Sequence, residues 1–389
     1  MAPGANRGCS LLWAALLFAA TCPCWSASPD EARRFLIMSA VDDSNVYYAM
    51  LPGFAELARR GGHHPMMDIR ILIDGEANAC NASGSATFCG ADADLGLENV
   101  GGIAVEQQSS GAVLYVSDLQ AGNVYSYELW ASGAVLHVGR QRRVAESVAN
   151  DGLKLSVDKY GQLYYSGTQD GLVGKMDTKS SGNYTEVLYD ATADSVVSNP
   201  GGVAVDNFFV YWANEASGQS AGSIVKALER PEEAAAFTGG DNSSTSSNST
   251  YPTALASNTD SVQGLCLARD NLFFTGADGS LYGIKSEGGT VTQVYNFSSP
   301  RGCAYDTEGT LYVADSAAHA IYTLPANFMT LRSVSSVTEV ANLTAVNQLA
   351  VFTVGTRGLF NHPPSKATRL HCGLQTLLVF VVVLLWRDM

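Results

Sequence analysis

Pro200-Gly201-Gly202-Val203-Ala204-Val205-Asp206, followed after three residues by Val210-Tyr211-Trp212-Ala213-Asn214, is the stretch that decides the fold. It runs from glycines through alternating apolar residues to an acidic residue, a short turn and a second run rich in β-branched and aromatic side chains. That order predicts two antiparallel strands. The pattern recurs. Its other openings are Gly101-Gly102-Ile103-Ala104-Val105-Glu106, Gly152-Leu153-Lys154-Leu155-Ser156-Val157-Asp158, Gly264-Leu265-Cys266-Leu267-Ala268 and Gly302-Cys303-Ala304-Tyr305-Asp306. The matching second runs are Leu114-Tyr115-Val116-Ser117-Asp118, Leu163-Tyr164-Tyr165-Ser166-Gly167, Leu272-Phe273-Phe274-Thr275-Gly276 and Leu311-Tyr312-Val313-Ala314-Asp315. Third strands are expected at 123–129, 172–176, 223–228, 280–284 and 320–324. Asp170-Gly171 and Asp278-Gly279 supply turn residues ahead of two of them.

One such unit cannot bury both of its faces, so units must stack around an axis. The expectation is an all-β chain folded as a six-bladed β-propeller. Five copies are complete and the sixth is split. Phe35-Leu36-Ile37-Met38-Ser39 and Val46-Tyr47-Tyr48-Ala49-Met50 read as a second and third strand with no first strand before them. The missing strand reappears as Asn347-Gln348-Leu349-Ala350-Val351-Phe352. A C-terminal strand thus completes the N-terminal blade and closes the ring, which removes open sheet edges. The domain is expected over 27–355, with insertions at 75–96 and 230–260. The second insertion contains a Ser/Asn/Thr run, 241–250, that has the composition of a mobile segment.

Composition agrees with β structure. Charged residues are 15% of 389, against roughly 25% in ordinary soluble domains, while glycines number 38 and tyrosines 17. The formal charge of −14 repels a phosphate backbone and argues against nucleic acid as a partner.

Both ends read as addresses. Arg7 and the apolar run 11–20, followed by small residues around Ser26, predict a signal peptide over 1–26. Sequons at Asn81, Asn183, Asn242, Asn248, Asn296 and Asn342 point to an N-glycosylated chain. After a stalk and spacer at 356–373, the hydrophobic tail 374–389 reads either as a lipid-anchor (GPI) signal or as a single membrane span. In either case the tail makes the membrane a partner, and the expected address is the secretory pathway and the outer cell surface. Past the signal, Cys80, Cys89, Cys266, Cys303 and Cys372 remain; loss of the tail leaves four, an even number that suits an oxidising compartment. Cys80 and Cys89 lie close enough in sequence to staple their loop. Cys266 and Cys303 sit at nearly matching places in consecutive repeats and are either a bridge or two buried thiols.

The 200–214 stretch resembles the YWTD and NHL propeller repeats, a likeness that implies the fold and leaves function open. A narrower resemblance runs through Asn150-Asp151-Gly152 and Asp158-Lys159-Tyr160-Gly161-Gln162-Leu163-Tyr164-Tyr165-Ser166-Gly167-Thr168, which is similar to a block of the gluconolactonase-like, calcium-dependent six-bladed lactonases. The resemblance implies calcium as cofactor, with Asn150 facing the channel near the metal and Asn199 close to a second ligand position. Pro200 interrupts that second motif, Gln263 and Arg301 stand where the family uses an Asp, and the family's N-terminal Glu has no counterpart near Phe35.

Other motifs have plainer readings. Gly218-Gln219-Ser220-Ala221-Gly222 matches a nucleophile elbow but falls in a turn between strands, where Gly and Ser are ordinary turn residues. His63-His64 reads as an exposed loop pair, and Asp92-Ala93-Asp94 as a fragment of a calcium loop without its later Glu. The repeated Tyr115, Tyr164, Trp212, Phe273 and Tyr312 are expected to pack between blades. Asp118, Asn214 and Asp315 are expected to hold turns. Asn99, Asn150, Asp151, Asn199, Gln263 and Arg301 lie at or before first strands, hence at one mouth of the channel, and are the candidate binding residues. These observations favour a secreted, glycosylated, non-catalytic binding or adhesion module for an extracellular protein or glycan. The alternatives are a calcium-dependent lactonase or esterase and a structural coat protein.

Overall fold

Each repeat folds into a four-stranded antiparallel sheet, and six such sheets form the propeller. The computed structural model describes residues 33–40, 44–75, 97–108, 111–148, 153–179, 184–215, 222–231, 252–259 and 261–354, and the statements below concern these residues. Blade 1 contains β1 (Arg33–Ala40), β2 (Val46–Met50) and β3 (Arg70–Ile73), with a short helix α1 (Phe54–Arg59) between the last two. Blade 2 is β4 (Val100–Gln108), β5 (Gly111–Asp118), β6 (Asn123–Ser132) and β7 (Val135–Ala145). Blade 3 is β8 (Lys154–Val157), β9 (Leu163–Gly167), β10 (Leu172–Met176) and β11 (Thr185–Asp190). Blade 4 is β12 (Pro200–Val205), β13 (Phe209–Asn214), β14 (Ser223–Leu228) and β15 (Thr253–Ser257). Blade 5 is β16 (Val262–Ala268), β17 (Asn271–Gly276), β18 (Ser280–Lys285) and β19 (Thr292–Asn296). Blade 6 is β20 (Pro300–Tyr305), β21 (Thr310–Asp315), β22 (Ala320–Pro325) and β23 (Thr338–Asn342). The last strand, β24 (Val346–Val354), returns to blade 1 and pairs antiparallel with β1, Phe35 opposite Phe352 and Ile37 opposite Ala350.

The apolar alternation explains the packing. Large side chains of the second strands fill the space between blades: Tyr115, Tyr164, Trp212, Phe273 and Tyr312 are all buried, and Trp212 stacks on Tyr189 with ring centroids 5.3 Å apart. Along an inner strand, alternate residues face opposite neighbours. Ile103 packs with the core between blades 1 and 2, Ala104 with that between blades 2 and 3. The side facing the next blade must be small because the inner strands converge. A Cβ on Gly102 would lie 2.8 Å from the Leu153 carbonyl oxygen, and one on Gly302 2.6 Å from that of Asn347.

Hydroxyls stitch the ring together. Ser117 Oγ accepts from Gly102 N at 2.6 Å and donates to Leu153 O of the next blade at 2.9 Å. Thr275 Oγ1 does the same between Gly264 N, 2.8 Å, and Arg301 O, 2.7 Å. Ser39 joins Gln348 N to Gly101 O, and Ser166 Oγ donates to Gly201 O. Blades 4 and 6 carry Ala213 and Ala314 at the corresponding place. At the seam, buried Arg34 of β1 donates to Asp306 Oδ2 at 2.7 Å and to Pro52 O at 3.2 Å, tying blade 6 to blade 1. Asp118 accepts from the backbone N–H groups of Glu98, Asn99, Gln120 and Ala121, and Asp315 from those of Ser298, Ser299 and Ala318. Asn214 bonds Ser198 N, Val196 O and Ser223 Oγ. These side chains hold turns.

Three expectations change. β15 falls inside the 230–260 stretch read as an insertion, so that stretch contains a blade strand. His64 is half-buried, edge-on to the Tyr312 ring at 6.3 Å, while His63 is exposed. In the third repeat the register places Lys154, not Gly152, at the level of the inner-strand glycines: the Cβ position of Gly102 faces Lys154 Cα. The signal, the tail, Cys80, Cys89, Cys372, Asn81, Asn183, Asn242, Asn248, Asp92, Asp94, Asn150, Asp151 and the 218–221 part of the elbow motif lie outside the described residues.

Candidate functional site: the central channel

The six inner strands enclose a cavity of about 240 Å³. Their residues stand in levels. At the upper level are Gly102, Lys154, Gly202, Gly264, Gly302 and Gln348, one from each blade. Four glycines leave room, and two side chains use it. Lys154 Nζ reaches Asn347 Oδ1 at 3.4 Å, although β8 and β24 are separated by β4, so its ammonium crosses the lumen. Two residues further along the strands come Ala104, Ser156, Ala204, Cys266, Ala304 and Ala350, all small. Valines, Leu265, Leu349 and Tyr305 make most of the remaining wall. No Asp or Glu lies among the described residues that line the cavity.

β16 and β20 are joined twice. Cys266 and Cys303 form a disulfide with Cα atoms 5.8 Å apart, and both sulfur-bearing residues line the channel. Above the bridge, Arg301 Nη1 donates to Gln263 Oε1 at 2.6 Å, while its Nε donates to Ser316 Oγ at 3.3 Å. The structure therefore brings two of the sequence-derived candidates, Gln263 and Arg301, into direct contact. Asn99 and Asn199 stand apart, immediately before β4 and β12, with blade 3 between them. The Asn99 Oδ1 atom is buried without a hydrogen-bond partner. Asn199 is exposed with φ of 49°, a left-handed conformation that Asn tolerates. The described mouth does not fit a divalent cation. Calcium needs several carboxylate or carbonyl oxygens, whereas here a guanidinium occupies the Gln263 oxygen and an ammonium lies one level below. Among the described residues no group of three His, Cys, Asp or Glu side chains is placed to hold a metal ion.

Away from the channel, between blades 3 and 4, Glu229 is 5% exposed and its Oε1 has no hydrogen-bond partner. Burial pushes its carboxyl up to about 8, with the charges of Asp158 and Asp206 adding to the shift and a hydrogen bond from Tyr164 opposing it. Neither Lys154 nor Glu229 was among the residues singled out in the sequence. Lys154 had a signal: counting back from Asp158, as from Asp206, puts it on the glycine position.

No protein-family model and no characterised protein sequence matches the chain. Among solved structures, a streptogramin B lyase is similar over 63% of this chain and 69% of its own, at 15% identity and a TM-score of 0.40. A catalytically inactive virginiamycin B lyase from Staphylococcus aureus with quinupristin is similar over 81% and 86%, at 10% identity and 0.39. A gluconolactonase from Xanthomonas campestris is similar over 66% and 83%, at 11% identity and 0.44. At such identities and scores these likenesses carry neither substrate nor mechanism to this chain. The six-bladed propeller rests on the chain's own strand order.

Proposed function

We propose that the protein is a secretory-pathway propeller, N-glycosylated and held at the outer cell surface, that works as a non-catalytic binding module. The observation that carries this reading is the doubly joined β16–β20 pair. A cystine in the channel wall suits an oxidising compartment. The Gln263–Arg301 contact above it fills, with a cation, the place where the lactonase resemblance implies a metal ligand. The sequons Asn296 and Asn342 add support: both are exposed and end the outer strands of adjacent blades, opposite Ser280 and Ala320. The mechanism is rigid display, in which a closed ring fixes the groups at its mouth and leaves its loops to contact a partner.

Expression of the full chain in a eukaryotic secretory host tests the reading. Surface labelling with a membrane-impermeant reagent, a glycosidase-sensitive mass shift that shrinks in Asn296→Gln and Asn342→Gln, and absence of turnover on a lactone and ester panel with calcium are expected. Cytosolic retention without glycans, or calcium-dependent hydrolysis, would refute it. Release by phosphatidylinositol-specific phospholipase C distinguishes a lipid anchor from a span.

A further inference from the structure

Most aromatic rings of this propeller are packed away from solvent, so the few that are not are informative. Among the described side chains four aromatics are exposed, Trp130, Tyr160, Tyr184 and Phe208, and the last three belong to one corner of the molecule. That corner holds a cavity of about 250 Å³. Its wall is built from the β8–β9 turn, the segment after β10, and Arg230 of blade 4, which follows β14. It lies at the end of the inner strands opposite the Gln263–Arg301 mouth. Tyr160 forms part of the wall and is 61% exposed, with Lys159 Nζ over its ring at 4.8 Å. Tyr184 O accepts from Asp177 N of the wall at 3.0 Å. Phe208 O accepts from Glu229 N, the residue before Arg230, also at 3.0 Å. Blades 3 and 4 thus both bring a ring to the rim.

The wall between the rings is polar. Asp158 Oδ1 accepts from Tyr160 N and Gln162 N, and Asp177 Oδ1 from Lys179 N, which fixes the turns. Lys175 is paired with Glu186 at 3.2 Å. The other lining charges, Lys179 and Arg230 against Asp158 and Asp177, cancel. Such a pocket is rich in donors and acceptors and has no excess charge with which to select an ion. Aromatic faces beside balanced hydrogen-bonding groups match a ligand with C–H bonds on its faces and hydroxyls at its edges. We infer that this corner of blades 3 and 4 is a carbohydrate site for a neutral pyranose ring, its C–H face on Tyr160 and its hydroxyls towards Lys179, Asp177 and Arg230. The size fits a single ring, since the cavity falls below the roughly 300–1,000 Å³ of pockets for drug-sized ligands. The ring comes from a partner's glycan or from the glycan expected at Asn183 of this chain. This inference rests on the binding-module reading and names a ligand class and a place for it outside the channel.

Saturation-transfer NMR titration of the full-length glycosylated protein tests it, in a polyoxyethylene detergent that contains no sugar. The probes are the methyl glycosides of mannose, glucose, galactose and N-acetylglucosamine, with methyl glucuronide as the charged control. Wild type or Asn183→Gln should bind at least one neutral glycoside through its ring C–H protons, and more tightly than the glucuronide. Binding by both proteins assigns the site to a partner's glycan, and binding by Asn183→Gln alone assigns it to the chain's own. Tyr160→Ala, in the same background, should weaken the binding about 2- to 12-fold, the size of one aromatic stacking contact, and Tyr160→Phe should keep it. Tyr160 is exposed, so its replacement leaves the core untouched. Trp130→Ala, exposed on blade 2, should change nothing. No neutral glycoside bound by either protein, unchanged binding in Tyr160→Ala, or tighter binding of the glucuronide would overturn the inference. Lactone turnover would defeat the binding-module reading whatever the sugars do. Surface display and glycosylation without sugar binding would defeat only the present inference.

Discussion

The Cys266–Cys303 bridge should stabilise the propeller by an amount that its place in the chain fixes. The two residues are 37 apart in sequence, and their strands are already neighbours in the ring. The crosslink therefore restricts mainly the unfolded chain. Closing a loop of that length removes roughly 13 cal/mol/K from the unfolded ensemble in the chain-entropy model, or ~3.8 kcal/mol at 25 °C. Cys266→Ala/Cys303→Ala should accordingly lose about 4 kcal/mol, including a small packing term from the missing sulfurs. The assay is equilibrium urea unfolding of oxidised wild type, wild type with reductant, and the double variant with and without reductant. Reductant should lower the stability of wild type by more than that of the double variant, the difference approaching the full amount, because the expected Cys80–Cys89 staple responds equally in both. The urea dependence of wild type should steepen on reduction, because the freed chain exposes more surface. A loss below about 1 kcal/mol, or an equal response of the variant to reductant, would refute the reasoning.

Other perturbations probe the closing seam, the stitching hydroxyls and the buried carboxyl. Arg34→Met strips the cation from buried Asp306 at the closing seam and should cost about 3–5 kcal/mol, with Asp306→Asn added to it recovering part, read from urea midpoints. Ser117→Ala leaves Gly102 N and Leu153 O without their shared hydroxyl but with their direct 3.1 Å bond and should cost about 0.5–1.5 kcal/mol, whereas Ser335→Ala, exposed in the loop before β23, should cost less than about 0.5. The raised Glu229 pKa gives a pH signature. Its folded value, about 8, exceeds the ordinary 4.5, so the folded state binds the proton more tightly. That contribution is fully present below pH 4.5 and lost as pH rises to 8, up to a few kcal/mol. Glu229→Gln should flatten the decline, and an unchanged pH profile of stability would remove the buried carboxyl from the account.

Most of the fold was legible because most of the inner and second strands share one pattern. Glycines mark where inner strands approach, alternation separates the two blade interfaces, and an acidic residue closes the hairpin. The closing strand was visible for the same reason: 347–352 has the first-strand pattern with no second strand after it, and β24 covers it. The outer strands were not visible. β15, Thr253-Ala254-Leu255-Ala256-Ser257, buries only Ala256 fully and borders a polar run, so neither hydrophobicity nor alternation marks it. The stitching hydroxyls were in plain view in L-Y-V-S-D and L-F-F-T-G, but a serine or threonine beside a turn reads as turn chemistry until the neighbouring blade is in place. The site was legible only in part. Gln263 and Arg301 were chosen for their position, yet their contact depends on the curvature of the ring. Lys154 was hidden by Gly152, which drew the third repeat out of register, and only the close approach of β4 to β8 places it among the glycines.

Calcium stoichiometry and calcium-dependent melting of the full-length protein, beside Asn150→Ala, most directly test a binding propeller whose described mouth residues, Gln263 and Arg301 among them, do not fit a divalent cation. No tightly held calcium, and the same melting temperature with calcium or chelator in both proteins, is expected. One equivalent of calcium, with a rise in melting temperature that Asn150→Ala abolishes, would contradict it and return the chain to the hydrolases.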